Sequence, residues 1–179
     1  LLLALSVLLP ACAPAGNPPQ TSGSAFDDEA ESYYEYPVEA EDLDDSEYAP
    51  EMTIIRYEGQ QAEIIGPGAV QEASAVMIRE GGVYRLSGTA ESGSVQVCAP
   101  DAQTVKLILD GLSLCSKEGP ALRSTGGGKL ILTLSAGTAN ALTGGACSDP
   151  QGQNSPAALQ TDGALTLNGG GALSIQSAP

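Results

Sequence analysis

Thiols are the most reactive side chains in this sequence, which has four cysteines and no histidine among 179 residues. Without histidine, a Ser-His-Asp triad, a Cys-His pair and a histidine general base are all excluded, and no catalytic residue is proposed. No two cysteines are spaced as C-x-x-C, so neither a zinc ribbon nor a thioredoxin-like site is expected. Cys98 and Cys115 close two strand-like runs. In an oxidising compartment they are candidates for a disulfide, although spacing does not show whether their Cβ vectors meet. Burial as small apolar side chains in a packed row is the alternative.

Cys12 has a different setting. It follows the apolar run 1–9 and Pro10-Ala11. That run is too short to span a bilayer and fits the apolar region of a secretory signal. The string LPAC resembles the bacterial lipobox, which implies cleavage before Cys12 and a lipid on its sulfur. Residues 1–11 are therefore expected to be a truncated lipoprotein signal peptide. Cys12 is the expected lipidation site, anchoring an exported protein to a bacterial membrane at the cell surface.

Charge divides the rest. The formal net charge is −15, and residues 26–58 hold 13 of the 22 acids with Arg56 as their single base. Such a balance argues against nucleic-acid binding, which needs clustered Lys and Arg. Residues 13–25 are rich in Pro, Gly and Ser, and residues 26–51 are acidic with few aliphatics. Neither stretch buries enough apolar surface to offset its ordering entropy. Residues 12–58 are thus expected to form a disordered acidic linker, and like charges extend such a chain. About 40 residues of random chain span on the order of 35 Å. Residues 59–179 are expected to form the folded domain.

From residue 81 short runs with a period of two recur, each ended by Gly, Ser, Asn or Asp: VYRLSG, SVQVCA, TVKLILDG, LSLCS, KLILTLSAG, ALTLNG and ALSIQ. No window carries apolar residues at helical spacing, so the domain is read as all-β. KLILDG, KLILTLSAG and ALTLNGGG look like copies of one another, with Leu107, Leu132 and Leu167 in equivalent places. Repeats of this kind suggest coils that build a core by stacking. The expected fold is a right-handed parallel β-helix, a fragment of a longer solenoid. Its Leu, Ile and Val would point inward, with Lys106, Arg123, Lys129 and Thr166 outward. An antiparallel β-sandwich would suit the strand spacing too, but two-residue Asn-Gly or Asp-Gly hairpin turns between matched strands are lacking apart from Asp110-Gly111.

Ordered motifs across residues 79–177 resemble the bacterial carbohydrate-binding domain-containing proteins, lipid-anchored or secreted. They are Gly82, Tyr84, Leu86 to Thr89, Leu107 to Gly111, Gly137, Asn140 to Thr143, Ala157-Ala158 and Leu165 to Gly169. The resemblance implies a pectate-lyase-like β-helix that binds polysaccharide, with acidic pectin-like glycans a leading candidate and calcium an implied ligand. It also implies that a lyase-like shape does not guarantee lyase activity; with no Arg base set among calcium carboxylates, no catalysis is expected. A monomer is expected. Where the family tends to carry Asp in L-T-D-G, this chain has Gly144. Calcium needs six to eight oxygen ligands, and the metal candidates that remain are Asp149, Asn154 and Asp162, the first two in the Gly- and Pro-rich loop 144–156. For an anionic glycan the candidates are Arg123, Lys129 and Lys106. The alternative functions are a structural or adhesive surface repeat with protein partners, and a polysaccharide lyase whose catalytic coils lie downstream.

Overall fold

The computed structural model describes residues 37–126, 128–145 and 157–177. The chain divides into two units, Leu1–Pro37 and Val38–Pro179. The expected signal peptide and Cys12 lie outside the described residues, and everything described beyond Pro37 belongs to the second unit.

Among the described residues, alternation of apolar and polar residues produces thirteen strands, as its period of two requires. In chain order they are β1 (Thr53–Glu58), β2 (Gln61–Ile65), β3 (Ala69–Glu72), β4 (Ala75–Ile78), β5 (Gly82–Ala90), β6 (Ser94–Val97) and β7 (Thr104–Cys115). There follow β8 (Leu122–Ser124), β9 (Lys129–Leu134), β10 (Ala139–Gly144), β11 (Leu159–Thr161), β12 (Leu165–Gly169) and β13 (Ala172–Ser177). They form two sheets. The larger has the order β12-β9-β7-β5-β1-β2, with β10 pairing both β7 and β13; the smaller runs β11-β8-β6-β4-β3. Apolar residues of both sheets meet in a single interior cluster. One row of that interior is Tyr84, Leu107, Leu132 and Leu167, in register across β5, β7, β9 and β12. Leu107 and Leu132 are fully buried, whereas Leu167 on the sheet's last strand is exposed, as are Leu165 and Ile175. Each fully buried leucine contributes roughly 1.5–3 kcal/mol over leaving it in water.

The all-β class stands, but the right-handed parallel β-helix does not: the sheets are mixed. β1–β2 and β3–β4 pair antiparallel, while β5, β7, β9 and β12 pair parallel. No solenoid is formed by the described residues. The cause is local. Gly59-Gln60 and Ala73-Ser74 each close a two-residue turn, between Glu58↔Gln61 and Glu72↔Ala75. Gly59 and Ala73 take φ +69° and +54°, the left-handed first position that short hairpin turns use. The turn-like Asp110-Gly111 does something else. It sits inside β7 as a bulge, where the register against β5 shifts between Leu86 and Gly88.

A second departure concerns the linker. Residues 38–58, acidic enough to be read as disordered, are ordered: Ala40–Asp42 forms a 3-10 turn and Thr53–Glu58 is a strand inside the larger sheet. Thr53 and Ile55 alternate inward with Tyr57, and all three are buried. The candidate Cys98–Cys115 disulfide is not formed, and both thiols are free. Cys115 ends β7 in the larger sheet, whereas Cys98 follows β6 in the smaller, where it accepts a hydrogen bond from Thr125 Oγ1 at 3.6 Å.

Asn140 ties three strands together from a buried position. Its Oδ1 accepts from Leu112 N at 2.9 Å, and its Nδ2 donates to Ala172 O at 3.1 Å and Thr138 Oγ1 at 3.2 Å. Asn140→Ala strands a backbone donor and a backbone acceptor, and a buried unsatisfied group costs roughly 1–3 kcal/mol. Urea unfolding should show a loss of at least about 2 kcal/mol relative to the unmodified chain.

Candidate functional site

Strand alternation places Thr104, Lys106 and Ile108 of β7 on the outward face of the larger sheet, beside Lys129, Ile131 and Thr133 of β9. Across the next pairing stand Thr166 and Asn168 of β12. Thr104 is opposite Lys129, Lys106 opposite Ile131, and Ile131 opposite Thr166; Thr133 faces Ile108 on one side and Asn168 on the other. This face is not bare. The acidic segment 38–51 crosses it as a strap.

Ion pairs and hydrogen bonds join strap and sheet, and Ile108 and Ile131 of the same face are fully buried. Lys129 Nζ lies 2.8 Å from Glu39 Oε2, 3.1 Å from Glu41 Oε1 and 3.0 Å from Asp42 Oδ2. Lys106 Nζ donates to Asp44 O at 2.8 Å, Asp44 Oδ2 at 3.0 Å and Ser46 Oγ at 3.4 Å. An ammonium has three donors; Lys106 uses all of its donors on the strap, and Lys129 donates to Glu39 and Asp42 with Glu41 in ion-pair range. Thr166 Oγ1 donates to Asp42 Oδ1, and Asn168 Nδ2 donates to the carbonyls of Asp42 and Asp44. Glu47 Oε1 accepts from Ala136 N at 2.7 Å. The strap also holds its own shape, with Glu39 N donating to Asp42 Oδ2 and Ser46 N to Asp44 Oδ1. The second of these is the local turn that Asp favours.

These hydrogen bonds shift the charged groups. The Thr166 hydroxyl, the Glu39 amide and Lys129 pull Asp42 down to about 2. The Ser46 hydroxyl and amide, with Lys106, do the same to Asp44, also to about 2. Lys129 is raised by its hydrogen bond to Glu39, against the opposing pull of burial. Three buried polar atoms on or beside this face lack a partner among the described residues: Thr133 Oγ1, Ser135 Oγ and Asn168 Oδ1.

The glycan-binding candidates are therefore divided. Lys106 and Lys129 come together, while Arg123 stands exposed on β8 in the smaller sheet, in register between Gln96 and Gln160. Sequence reasoning missed the strap residues Asp42 and Asp44, because composition alone assigned them to solvent. Of the metal candidates, Asp149 and Asn154 lie outside the described residues. Asp162 is exposed after β11, its amide donating to Ser124 O. No group of three or more Asp, Glu, Cys or His side chains among the described residues is placed to hold a metal ion. Tyr48 is exposed on the strap, but the two tyrosines of the strands offer no stacking platform. Tyr57 and Tyr84 are buried, their hydroxyls donating to Ser94 O and Glu80 O. Burial is the main cause that raises both phenols.

A sequence model of the carbohydrate-binding domain-containing protein family matches residues 72–179, which include β9, β12 and most of the face under the strap. The chain belongs to that family. Among solved structures, this carbohydrate-binding family member is similar to the gadolinium derivative of the polysaccharide lyase-like protein from C. thermocellum. The TM-score is 0.63 at 23% identity, over 68% of this chain and 50% of that one. At that identity the likeness is one of fold, and the chain spans about half the length of the protein it matches. No curated protein matches.

Because Asp42 and Asp44 are depressed, their ionisation stabilises the docked strap in full above the ordinary 3.8. That contribution is lost as pH falls from 3.8 through about 2. Carboxyl NMR titration should find both midpoints near 2 and strap signals shifting with them. Thr166→Val should move the Asp42 midpoint up toward 3.8 and leave Asp44 in place.

Proposed function

We propose that this chain is a module that binds acidic, pectin-like polysaccharide without catalysis, exported and held to a bacterial membrane by a lipid on Cys12. Family membership supports carbohydrate binding in general. The observation that carries the acidic preference is that Lys106 and Lys129 already hold carboxylate oxygens at 2.8–3.1 Å. A polyuronate carries one carboxylate on each sugar, flanked by hydroxyls. The outward face answers both groups, with two ammonium ions for the carboxylates and Thr104, Thr166 and Asn168 beside them for the hydroxyls. Charge-assisted hydrogen bonds are about twice as strong as neutral ones. A face whose strands β7, β9 and β12 carry cations and no aromatic residue therefore favours anionic over neutral glycans. The binding-only reading is supported by the sequence, which has no histidine base. Arg56, Arg79 and Arg85 are committed to Glu63, Glu72 and Asp110.

Affinity electrophoresis tests this reading, in gels cast with polygalacturonate or a neutral glucan. Retardation is expected in polygalacturonate alone. It should weaken at least about 10-fold in the Lys106→Ala/Lys129→Ala double variant, since each hydrogen bond to a charged group contributes about 1.5–3 kcal/mol. It should survive a chelator. Equal retardation of the double variant would remove the lysines from the site, and retardation lost with chelator would assign the binding to calcium instead.

A further inference from the structure

We propose that residues 38–47 are a tethered occupant of the face over β7, β9 and β12, which an acidic polysaccharide displaces in order to bind there. This rests on the reading given under Proposed function and adds its regulation. Three independent observations lead to it. First, the strap offers the face the same functional group as a polyuronate: Glu39, Glu41, Asp42 and Asp44 present carboxylates to Lys129 and Lys106.

Second, the strap fits the cations better than it fits the rest of the face. Thr133 is fully buried, yet its Oγ1 has no partner among the described residues, and the same holds for Ser135 Oγ and Asn168 Oδ1. Register puts Thr133 beside Asn168, on the side the strap crosses. Buried polar groups are normally satisfied. An occupant carrying hydroxyls as well as carboxylates can supply the missing partners, and a polyuronate carries both.

Third, the strap's own side chains hold it by charge and hydrogen bonds, although Ile108 and Ile131 of the face beneath are fully buried and any occupant that replaces it must cover them. The strap's larger apolar side chains, Val38, Leu43 and Tyr48, are 72%, 75% and 73% exposed. A segment held in this way exchanges against a competing anion without first exposing apolar surface of its own. It stays attached through Thr53–Glu58 of β1, so release is local and reversible.

The test compares the unmodified protein, a strap variant (Glu39→Gln/Glu41→Gln/Asp42→Asn/Asp44→Asn) and Lys106→Ala/Lys129→Ala, each titrated with polygalacturonate. The strap variant should bind about 10-fold or more tightly, because apparent affinity falls with the fraction of molecules whose site is open. In the unmodified protein, saturating polygalacturonate should accelerate amide exchange across residues 38–47. Unchanged affinity in the strap variant, with binding lost in the lysine variant, would keep the site and overturn the competitor role. Absence of binding by both the unmodified protein and the strap variant would overturn the polysaccharide reading itself. Should the strap variant fail to fold, exchange in the unmodified protein decides: strap amides that stay protected at saturation overturn the proposal. Equal acceleration by polyglutamate at matched charge would also overturn it, by showing displacement without recognition of a sugar.

Discussion

Two ammonium groups on the outside of a sheet determine how residues 38–47 are organised. Lys106 and Lys129 stand where alternation puts them, pointing away from the interior. An outward lysine ordinarily extends its charge into water. Here the side chains are only 8% and 18% exposed, because an acidic segment lies over both. A buried ammonium without partners is costly, so the strap and the lysines depend on one another. The strap carries too little apolar surface to settle on a protein by itself, and the lysines would otherwise hold a row of cations in solvent. Their pairing turns a composition typical of a linker into ordered structure.

The interior obeys a simpler constraint. Rows such as Tyr84–Leu107–Leu132 set parallel register, because a slip of one residue would turn every apolar side chain outward. Parallel neighbours must therefore be similar in sequence, which is why KLILDG, KLILTLSAG and ALTLNG look alike. Close approach adds a demand of its own. At Gly88 a Cβ would lie 2.1 Å from the Tyr57 carbonyl oxygen, and φ is +91°. The residue beside the bulge in β7 thus has to be glycine.

Much of this was legible in the sequence. The strands from β5 onward, the inward leucines and the outward Lys106, Lys129 and Thr166 all follow from period-two alternation. The mixed pairing was not legible, because Gly59-Gln60 and Ala73-Ser74 are not the turn pairs that usually announce a hairpin. Ala73 in particular is a non-glycine residue in the left-handed region, and no composition rule flags it. The strap was missed for a different reason. Disorder was inferred from residues 38–51 in isolation, whereas their order comes from lysines more than fifty positions away. The candidate site is therefore half legible: alternation places the two lysines outward, and the carboxylates bound to them come from a segment that composition assigns to water.

The strap's charge also limits how firmly it can hold. Residues 38–51 contain seven acids and no base, against two lysines beneath them. Glu39, Glu41 and Asp42 converge on Lys129 alone, so each ion pair forms beside like charges that oppose it. Glu39 and Asp44, both more than half exposed, lie within reach of salt screening, whose length is about 8 Å at physiological ionic strength. Lys106 and Lys129 are far less exposed and keep their attraction for whichever anion reaches them. The asymmetry favours exchange over permanent attachment. The cationic partners are fixed on rigid parallel strands, while the anionic partner is a short segment repelled by its own charge. A tethered segment returns at an effective concentration in the mM range for short flexible links. A polyanion competes with that by presenting many equivalent carboxylates along one chain, so that loss of one contact is followed by gain of the next. The geometry that orders the strap is thus also the geometry that makes it replaceable.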